Sequence, residues 1–148
     1  MSRMGLMKGK RGEREVIKLM QPVLEEVYSM VGRVDEVPKL KRNLMQSAEG
    51  GFDIVGLEWL ALEVKFHETE QMTGWWEQCK RQAGCGQEPV LIHRKSRVAW
   101  RVRMFGNLPL PSGQKVKCPV DITVDSFLIY LRHRLLQELS YSTNENQN

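Results

Sequence analysis

Two acidic side chains and one amine occur close together in an apolar stretch near the middle of the chain. They are Asp53, Glu63 and Lys65. Residues 59–66 alternate with the two-residue period of a β-strand, so Glu63 and Lys65 are expected on the same face. Carboxylate oxygens suit Mg²⁺ or Mn²⁺, and such an ion activates water and offsets the charge of a phosphate. An adjacent ammonium can position that water or stabilise the developing charge. The pattern therefore indicates metal-dependent hydrolysis of a phosphodiester.

The spacing of Glu63 and Lys65 also has an ordinary explanation. A Glu-x-Lys triplet is frequent by chance, and on an exposed strand it forms a solvated or cross-strand pair. The neighbouring side chains are apolar, namely Trp59, Leu60, Leu62, Val64 and Phe66. Charged groups buried among such residues cost free energy unless they are paired or bound to a metal. These surroundings favour the metal site over the surface pair.

A short strand and a turn are expected to bring Asp53 towards Glu63. Residues 52–55 have the composition of a strand, and the Gly-Leu-Glu sequence at 56–58 allows the chain to fold back. The two antiparallel segments would then each contribute one carboxylate to the same pocket.

A third acid lies on the predicted first helix. From Gly12 onward, apolar residues recur at helical spacing, namely Val16, Met20, Val23, Leu24, Val27 and Val31. Glu13 falls on this stripe, whereas Glu15 falls on the opposite side. Glu13 could therefore lean over the metal pocket, or it could merely complement the helix dipole at an exposed end. Pro22 is expected to bend or interrupt the helix near Lys18.

Basic residues are clustered on both sides of the acids in the sequence, although the net charge is only +4. The first cluster comprises Arg3, Lys8, Lys10, Arg11, Arg14 and Lys18, and the second comprises Lys39, Lys41 and Arg42. Such clusters suit phosphate contacts with duplex DNA, although lysine and arginine also simply solubilise surfaces. Two clusters around one acidic pocket favour nucleic acid.

A second helix is expected after the loop at residues 67–73, closed by Gly84. One face carries Trp75, Gln78, Cys79, Gln82 and Ala83. Gln78 could point to the metal strand and hydrogen-bond DNA or an active-site group, or it could be a polar residue at the edge of a packed helix. Trp75 and Trp76 are expected to be packing residues that anchor the helix. His67 receives no role.

The remainder predicts further strands, a loop and a C-terminal helix. Residues 90–93 and 97–104 are the strands; Val98, Trp100, Val102 and Met104 point inward, and Arg97, Arg101 and Arg103 outward. Beyond Phe105 the residues Pro109, Pro111, Gly113 and Pro119 mark a loop, followed by a short strand at Val120–Val124. Asp125 or Ser126 would cap the helix, and residues 140–148 would form a flexible polar tail.

Length and composition fit one globular domain. The chain has 148 residues, of which 41% are hydrophobic, and it is assigned as a single domain at 1–139 with a core at about 8–104 and an extension at 105–139. The three cysteines lack C-x-x-C spacing, so neither a zinc site nor a disulfide framework is indicated. No apolar run is long enough for a membrane span or a signal peptide. We expect a cytoplasmic protein, including host cytoplasm if the gene is viral.

The order of these features resembles the archaeal-type Holliday junction resolvases of the PD-(D/E)XK nuclease superfamily. The resemblance covers residues 8–104 and rests on Lys10-Arg-Gly-Glu13-Arg14-Glu15-Val-Ile, Gly51-Phe-Asp53-Ile-Val-Gly, Leu62-Glu63-Val-Lys65, Pro89-Val-Leu-Ile and Trp100-Arg-Val. It implies an α/β restriction-endonuclease-like core, with a mixed central β-sheet flanked by helices and here a C-terminal helical extension. It also implies a homodimeric, Mg²⁺-dependent enzyme of DNA recombination and repair that makes paired nicks in four-way DNA junctions.

Carried over residue by residue, the resemblance makes Glu13, Asp53 and Glu63 the metal-site acids and Lys65 the catalytic lysine. DNA contacts are expected from Lys10, Arg11, Arg14, Arg42, Ser47 and Gln78. The sequence departs from the family because Gln46 occupies the basic position before Ser47. Two alternatives stay open: another nuclease of the superfamily that nicks, restricts or degrades DNA from its ends, and a non-catalytic DNA-binding module on the same scaffold.

Overall fold

The computed structural model describes residues 3–44, 52–69 and 71–145, so Gln46, Ser47 and Gly51 lie outside the described residues. The helices are α1 (Arg3–Met30), a short 3-10 helix (Val34–Glu36), α2 (Met72–Gln82) and α3 (Val124–Glu145). The strands are β1 (Lys41–Arg42), β2 (Ile54–Val55), β3 (Leu60–Phe66), β4 (Glu88–Arg94), β5 (Arg101–Pro109) and β6 (Lys115–Thr123). None of the described helices has the length and apolar character needed to cross a membrane.

The six strands form one mixed sheet in the order β1-β2-β3-β4-β5-β6. Strands β3 and β4 are parallel, and every other neighbouring pair is antiparallel. A parallel pair needs a crossover connection, which α2 supplies here. The predicted α/β architecture, a mixed sheet flanked by helices with a C-terminal helix, is therefore confirmed at this level.

Strand β3 is buried on both faces, and its two faces meet different helices. Leu62, Val64 and Phe66 join a large core with residues of α1 and α3. On the other face, Trp75, Trp76 and Cys79 of α2 pack with Leu91 of β4 in a smaller cluster. The predicted alternation along β3 is confirmed, and it directs Glu63 and Lys65 towards the side that α2 covers.

Helix α1 continues without a break through Pro22, contrary to the interruption expected near Lys18. Proline removes one intrahelical hydrogen bond, but Pro22 is exposed while the adjacent Val23 and Leu24 are buried, so packing holds the helix together. The helix ends at Met30, and Val31 is exposed rather than part of the buried stripe.

The loop expected beyond Phe105 is shorter than predicted, because only residues 110–114, which include Pro111 and Gly113, form a turn. Strand β5 continues to Pro109 and pairs with β6 along its whole length, from Arg101 opposite Thr123 to Pro109 opposite Lys115. The prolines are compatible with this long hairpin because Pro109 ends a strand and Pro119 lies in β6, the last strand of the sheet. A proline is tolerated in an edge strand since no further strand needs its N–H. Val98, predicted to point inward, is exposed in the turn before β5.

Helix α3 begins at Val124, one residue before Asp125 and two before Ser126, the two predicted caps. The backbone N–H of Ser126 donates to Oγ1 of Thr123 at 3.1 Å, so Thr123 caps the helix in place of Asp125 or Ser126. The helix extends to Glu145 and therefore includes most of the segment predicted as a polar tail. Arg132 donates to Glu26 at 2.8 Å and links α3 to α1.

Candidate functional site

Asp53 and Glu63 lie side by side on neighbouring strands. Ile54 pairs with Leu62 in the antiparallel β2–β3 ladder, which places the preceding Asp53 beside the following Glu63. The backbone N–H of Asp53 donates to the carbonyl of Leu62 at 2.9 Å. Its side-chain Oδ2 accepts a hydrogen bond of 2.7 Å from the backbone N–H of Val64. Both side chains are buried, with Asp53 8% exposed and Glu63 1% exposed.

Among the described residues, the carboxyl group of Glu63 meets no hydrogen-bond partner. Neither of its oxygens, both fully buried, meets a donor among the described residues. The pKa of Glu63 is raised to about 9, chiefly by burial and then by the negative charge of Asp53, while the charge of Lys65 lowers it. At neutral pH such a group is protonated unless a cation offsets its charge.

Glu13 approaches this pair from the N-terminal part of α1. Its Oε2 accepts a hydrogen bond from Nε of Arg42 on β1, the strand that pairs with β2. Burial raises the pKa of Glu13, the hydrogen bond from Arg42 opposes this effect, and the charge of Asp53 raises the pKa again. Glu13 also raises the pKa of Glu63. The third carboxyl group expected from the helical stripe therefore lies within electrostatic range of the other two.

The three acids are not grouped as ready-made metal ligands. Within residues 3–44, 52–69 and 71–145, no set of three or more His, Cys, Asp or Glu side chains is arranged to hold a metal ion. Glu13 is turned to Arg42, whereas Asp53 and Glu63 are neighbours on paired strands. Mg²⁺ usually binds through one or two carboxylates, waters and substrate phosphates. The carboxyl groups of Asp53 and Glu63, of which Glu63 lacks a hydrogen-bond partner among the described residues, therefore suit Mg²⁺ as ligands.

Helix α1 packs closely against the sheet at Gly12, the residue before Glu13. A Cβ atom added at Gly12 would lie 3.1 Å from Cβ of Phe66 and 3.4 Å from side-chain atoms of Trp100 and Val64. Only a residue without a side chain permits this approach without movement of its neighbours. Gly12 therefore determines how near the Glu13 backbone comes to β3.

Lys65 lies two residues beyond Glu63 on the same strand and is half-buried. It forms no salt bridge within the part of the chain that the structure describes, and its charge lowers the pKa of Glu63. An ammonium that shares a face with two carboxyls and has no other ionic partner is available to a bound anion.

Glu15 has a structural contact that sequence reasoning missed. It was predicted on the side of α1 away from the site, and it contacts Arg94 at the end of β4. Its oxygens accept hydrogen bonds from Nη2 of Arg94 at 2.8 and 3.0 Å and from Nε1 of Trp100 at 3.2 Å. The Arg94 guanidinium also lies 4.3 Å from the centre of the Phe66 ring. No local pattern in the sequence marks these partners.

Helix α2 covers the face of the sheet on which Glu63 lies. Trp75 and Trp76 are buried, which confirms them as packing residues, and Cys79 is fully buried. Burial and then the charges of Glu63 and Asp53 raise the pKa of the Cys79 thiol to about 12, so the thiol lies near both acids. Gln78 is half-buried and has no hydrogen bond to either acid among the described residues.

The predicted DNA-binding residues differ in their surroundings. Lys10, Arg11 and Arg14 are exposed near the start of α1. Arg11 pairs with Glu15 at 3.1 Å, whereas Arg42 is half-buried against Glu13. Ser47 lies outside the described residues. His67, which received no role, is exposed and stacks on Trp75 with ring centres 5.4 Å apart.

Comparison of the chain with protein-family models, with curated proteins and with solved structures finds no match in any of the three.

Proposed function

We propose that this chain is a Mg²⁺-dependent endodeoxyribonuclease that cuts branched DNA, in the manner that its resemblance to archaeal-type Holliday junction resolvases implies. The observation that carries the proposal is the pair of buried carboxyls of Asp53 and Glu63. The two belong to neighbouring strands, and Glu63 has no hydrogen-bond partner among the described residues. Binding of DNA alone does not require buried acids, since they repel phosphate.

Asp53 and Glu63 would hold the metal, and Glu13 would assist on release from Arg42. When bound, Mg²⁺ would offset the charge of the scissile phosphate and lower the pKa of a water molecule. Mn²⁺ has similar ligand preferences and is the expected substitute. On the α2 side, the buried cluster of Trp75, Trp76 and Cys79 would keep bulk water from the carboxyl pair and strengthen the electrostatic interactions there.

The remaining residues of the proposed site would bind and orient the substrate. Lys65 would position the attacking water or stabilise the charge on the phosphate, since its ammonium shares the face of Glu63. Exposed Lys10 and Arg14 would contact the DNA backbone near the same end of α1. In a homodimer, two such sites would act on opposing strands of a junction.

The proposal is tested with matched DNA substrates. The purified chain is incubated with Mg²⁺ or Mn²⁺ and with four-way, three-way, linear duplex and single-stranded DNA of shared sequence. We expect symmetric incisions in the four-way substrate, and we expect Asp53→Asn to bind this substrate without cutting it. Asp35→Asn, in the exposed 3-10 helix, is the matched control and should cut normally.

The other outcomes separate the alternatives. Cutting mainly from DNA ends would indicate an exonuclease, and cutting of linear duplex would indicate a nicking or restriction-like enzyme. Tight binding by the wild type without any cutting would indicate a DNA-binding module. A wild type that leaves all four substrates intact with either ion contradicts the nuclease proposal.

A further inference from the structure

Strands β5 and β6 extend beyond the rest of the sheet as a two-stranded arm. Strand β4 pairs with β5 only from Arg101 to Met104, whereas the β5–β6 ladder continues to Pro109 opposite Lys115. We define residues 105–119 as the β5–β6 arm. Because β5 runs antiparallel to β4, the arm projects past the beginning of β3 and away from Lys65.

The tip of the arm is apolar and open to solvent. Every residue from 107 to 117 is exposed. Three of them are large aliphatic residues, Leu108 at 49% exposure, Leu110 at 43% and Val116 at 45%. Leu108 and Val116 are opposite each other in the β5–β6 ladder, so these side chains adjoin, and contiguous exposed apolar surface is typical of binding sites.

The charge of the arm favours a polyanion as its partner. Residues 105–119 contain Lys115 and Lys117 and no Asp or Glu. The nearest acid of β6, Asp121, is paired with Arg103 at 2.6 Å. Glu88 of β4 lies within electrostatic range of Lys117, which leaves Lys115 as the arm lysine farther from any acid of the sheet. Two such arms would repel each other, whereas the phosphates of DNA attract both lysines. The positive charge therefore disfavours a dimer in which the arms of two copies of this chain contact each other.

We infer that the β5–β6 arm binds duplex DNA beside the cut and inserts Leu108 or Leu110 between base steps. This inference rests on the proposed nuclease function, which it deepens by assigning a second DNA contact. Aliphatic residues and prolines on an arm that enters the minor groove unstack bases and bend the duplex. Pro109 and Pro111, which flank Leu110, restrict the backbone of the tip and reduce the entropy lost on insertion.

The distance from the carboxyl pair to the tip fits one duplex arm. Glu63 of β3 pairs with Leu91 of β4, which pairs with Arg103 of β5. Leu110 follows Arg103 by about seven residues along the arm. At roughly 3.3 Å per residue and 4.8 Å per strand, the tip is about 25 Å from Glu63. This length corresponds to about seven base pairs of B-DNA.

The test uses the full chain with four-way DNA in the absence of divalent ions. The base analogue 2-aminopurine, whose fluorescence rises when it is unstacked, is placed about five to nine base pairs from the cut. We expect a several-fold rise with the wild type at about seven base pairs. The double variant Leu108→Ser, Leu110→Ser should abolish the rise and weaken binding about tenfold. Lys115→Gln with Lys117→Gln should reduce the salt dependence of binding.

A matched control distinguishes insertion from a general loss of exposed apolar surface. Ile129→Ser removes an exposed aliphatic side chain from α3 and should change neither fluorescence nor affinity. Thermal unfolding of each variant checks that its fold is retained. Unchanged fluorescence and affinity in the Leu108, Leu110 variant would overturn the inference. Loss of a dimer in that variant would also overturn it and would assign the arm to a second copy.

The results separate this inference from the nuclease proposal. If the wild type cuts DNA with Mg²⁺ and the arm variants cut and bind equally well, only the arm assignment fails. If the wild type shows the fluorescence rise but never cuts, the arm assignment stands and the nuclease proposal fails. If the wild type binds no DNA, both fail.

Discussion

The side chain of Asp53 accepts a hydrogen bond from the backbone N–H of Val64, the residue between Glu63 and Lys65. The contact joins β2 to β3 through a backbone group that every residue at position 64 except proline would provide. The position of Asp53 is therefore coupled to the strand that carries Glu63 and Lys65, so the three groups move together. A slip of β2 along β3 would break this bond and separate the carboxyls.

Asp53→Asn should abolish cutting while the fold is retained. Asparagine can still accept the Val64 hydrogen bond through its carbonyl oxygen but carries no charge for a metal ion. We expect a fall in cleavage rate of about a hundredfold or more, which is typical when one electrostatic contact to the transition state is lost. Single-turnover cleavage with saturating enzyme measures the rate, and circular dichroism checks the fold. A rate within about twofold of the wild type would contradict the metal-ligand role.

Glu63→Gln should stabilise the protein at neutral pH. The pKa of Glu63 is about 9 in the folded chain and near 4.5 when unfolded, so the folded chain holds a proton that the unfolded chain releases. Between these two values the free energy of unfolding falls as pH rises, by about 3 kcal/mol at pH 7. The variant lacks this dependence. Urea unfolding from pH 4 to 9 measures it, with exposed Glu58→Gln as the control.

Mg²⁺ should oppose this loss of stability in the wild type. The ion favours the ionised form of Glu63, so it raises the free energy of unfolding most at neutral and alkaline pH. The effect should be small at pH 4.5, where protons compete for the same carboxyl, and small in Glu63→Gln at every pH. Equal stabilisation of the wild type and Glu63→Gln by Mg²⁺ would place the ion elsewhere.

Glu13→Gln and Glu15→Gln should have different effects although the two residues are close in sequence. Glu13 acts on Asp53 and Glu63 through its charge, so its replacement should slow hydrolysis. Glu15 contacts Arg94 and Trp100, so Glu15→Gln should lower the free energy of unfolding by about 1 kcal/mol and leave cleavage nearly unchanged. Parallel unfolding and cleavage assays compare the two variants. Equal loss of cleavage would refute the assignment of Glu13 to the site.

Cys79 should resist thiol reagents until the protein unfolds. Its side chain is fully buried under α2, and its raised pKa keeps the thiol protonated, whereas Cys85 is exposed. In a timed reaction with an aromatic disulfide reagent, exposed Cys85 should react within seconds to minutes, half-buried Cys118 more slowly, and Cys79 only in denaturant. Cys85→Ser should remove the fast phase. Rapid modification of Cys79 in the native protein would contradict the placement of α2 over Glu63.

Local patterns predicted the parts of the site that local geometry determines. The alternation of β3 correctly placed Glu63 and Lys65 on one face, and the helical stripe of α1 placed Glu13 on the side facing Asp53. These periods follow from the covalent geometry of strands and helices, so a few residues suffice to detect them. The acids that the resemblance named are thus near one another. The ion pair of Glu13 with Arg42 depends on side-chain conformation, which the periodicity of the sequence does not predict.

Long-range pairing explains what the sequence did not predict. Four loop-forming residues near position 110 indicated an irregular segment, but Pro109 and Pro119 occupy positions in the β5–β6 ladder where no N–H is required. The contact of Glu15 with Arg94 joins residues far apart in the chain, and the position of each is determined by packing on β3 and β4. Such contacts have no local signature.

The close approach at Gly12 makes the geometry of the acids depend on a position with no functional group of its own. Alanine ordinarily strengthens a helix by up to about 1 kcal/mol relative to glycine. Here its methyl group would press on Phe66 and push α1 outward, and Glu13 would move with it. A substitution that favours the helical conformation at position 12 would therefore move the carboxyl group of Glu13 away from Asp53.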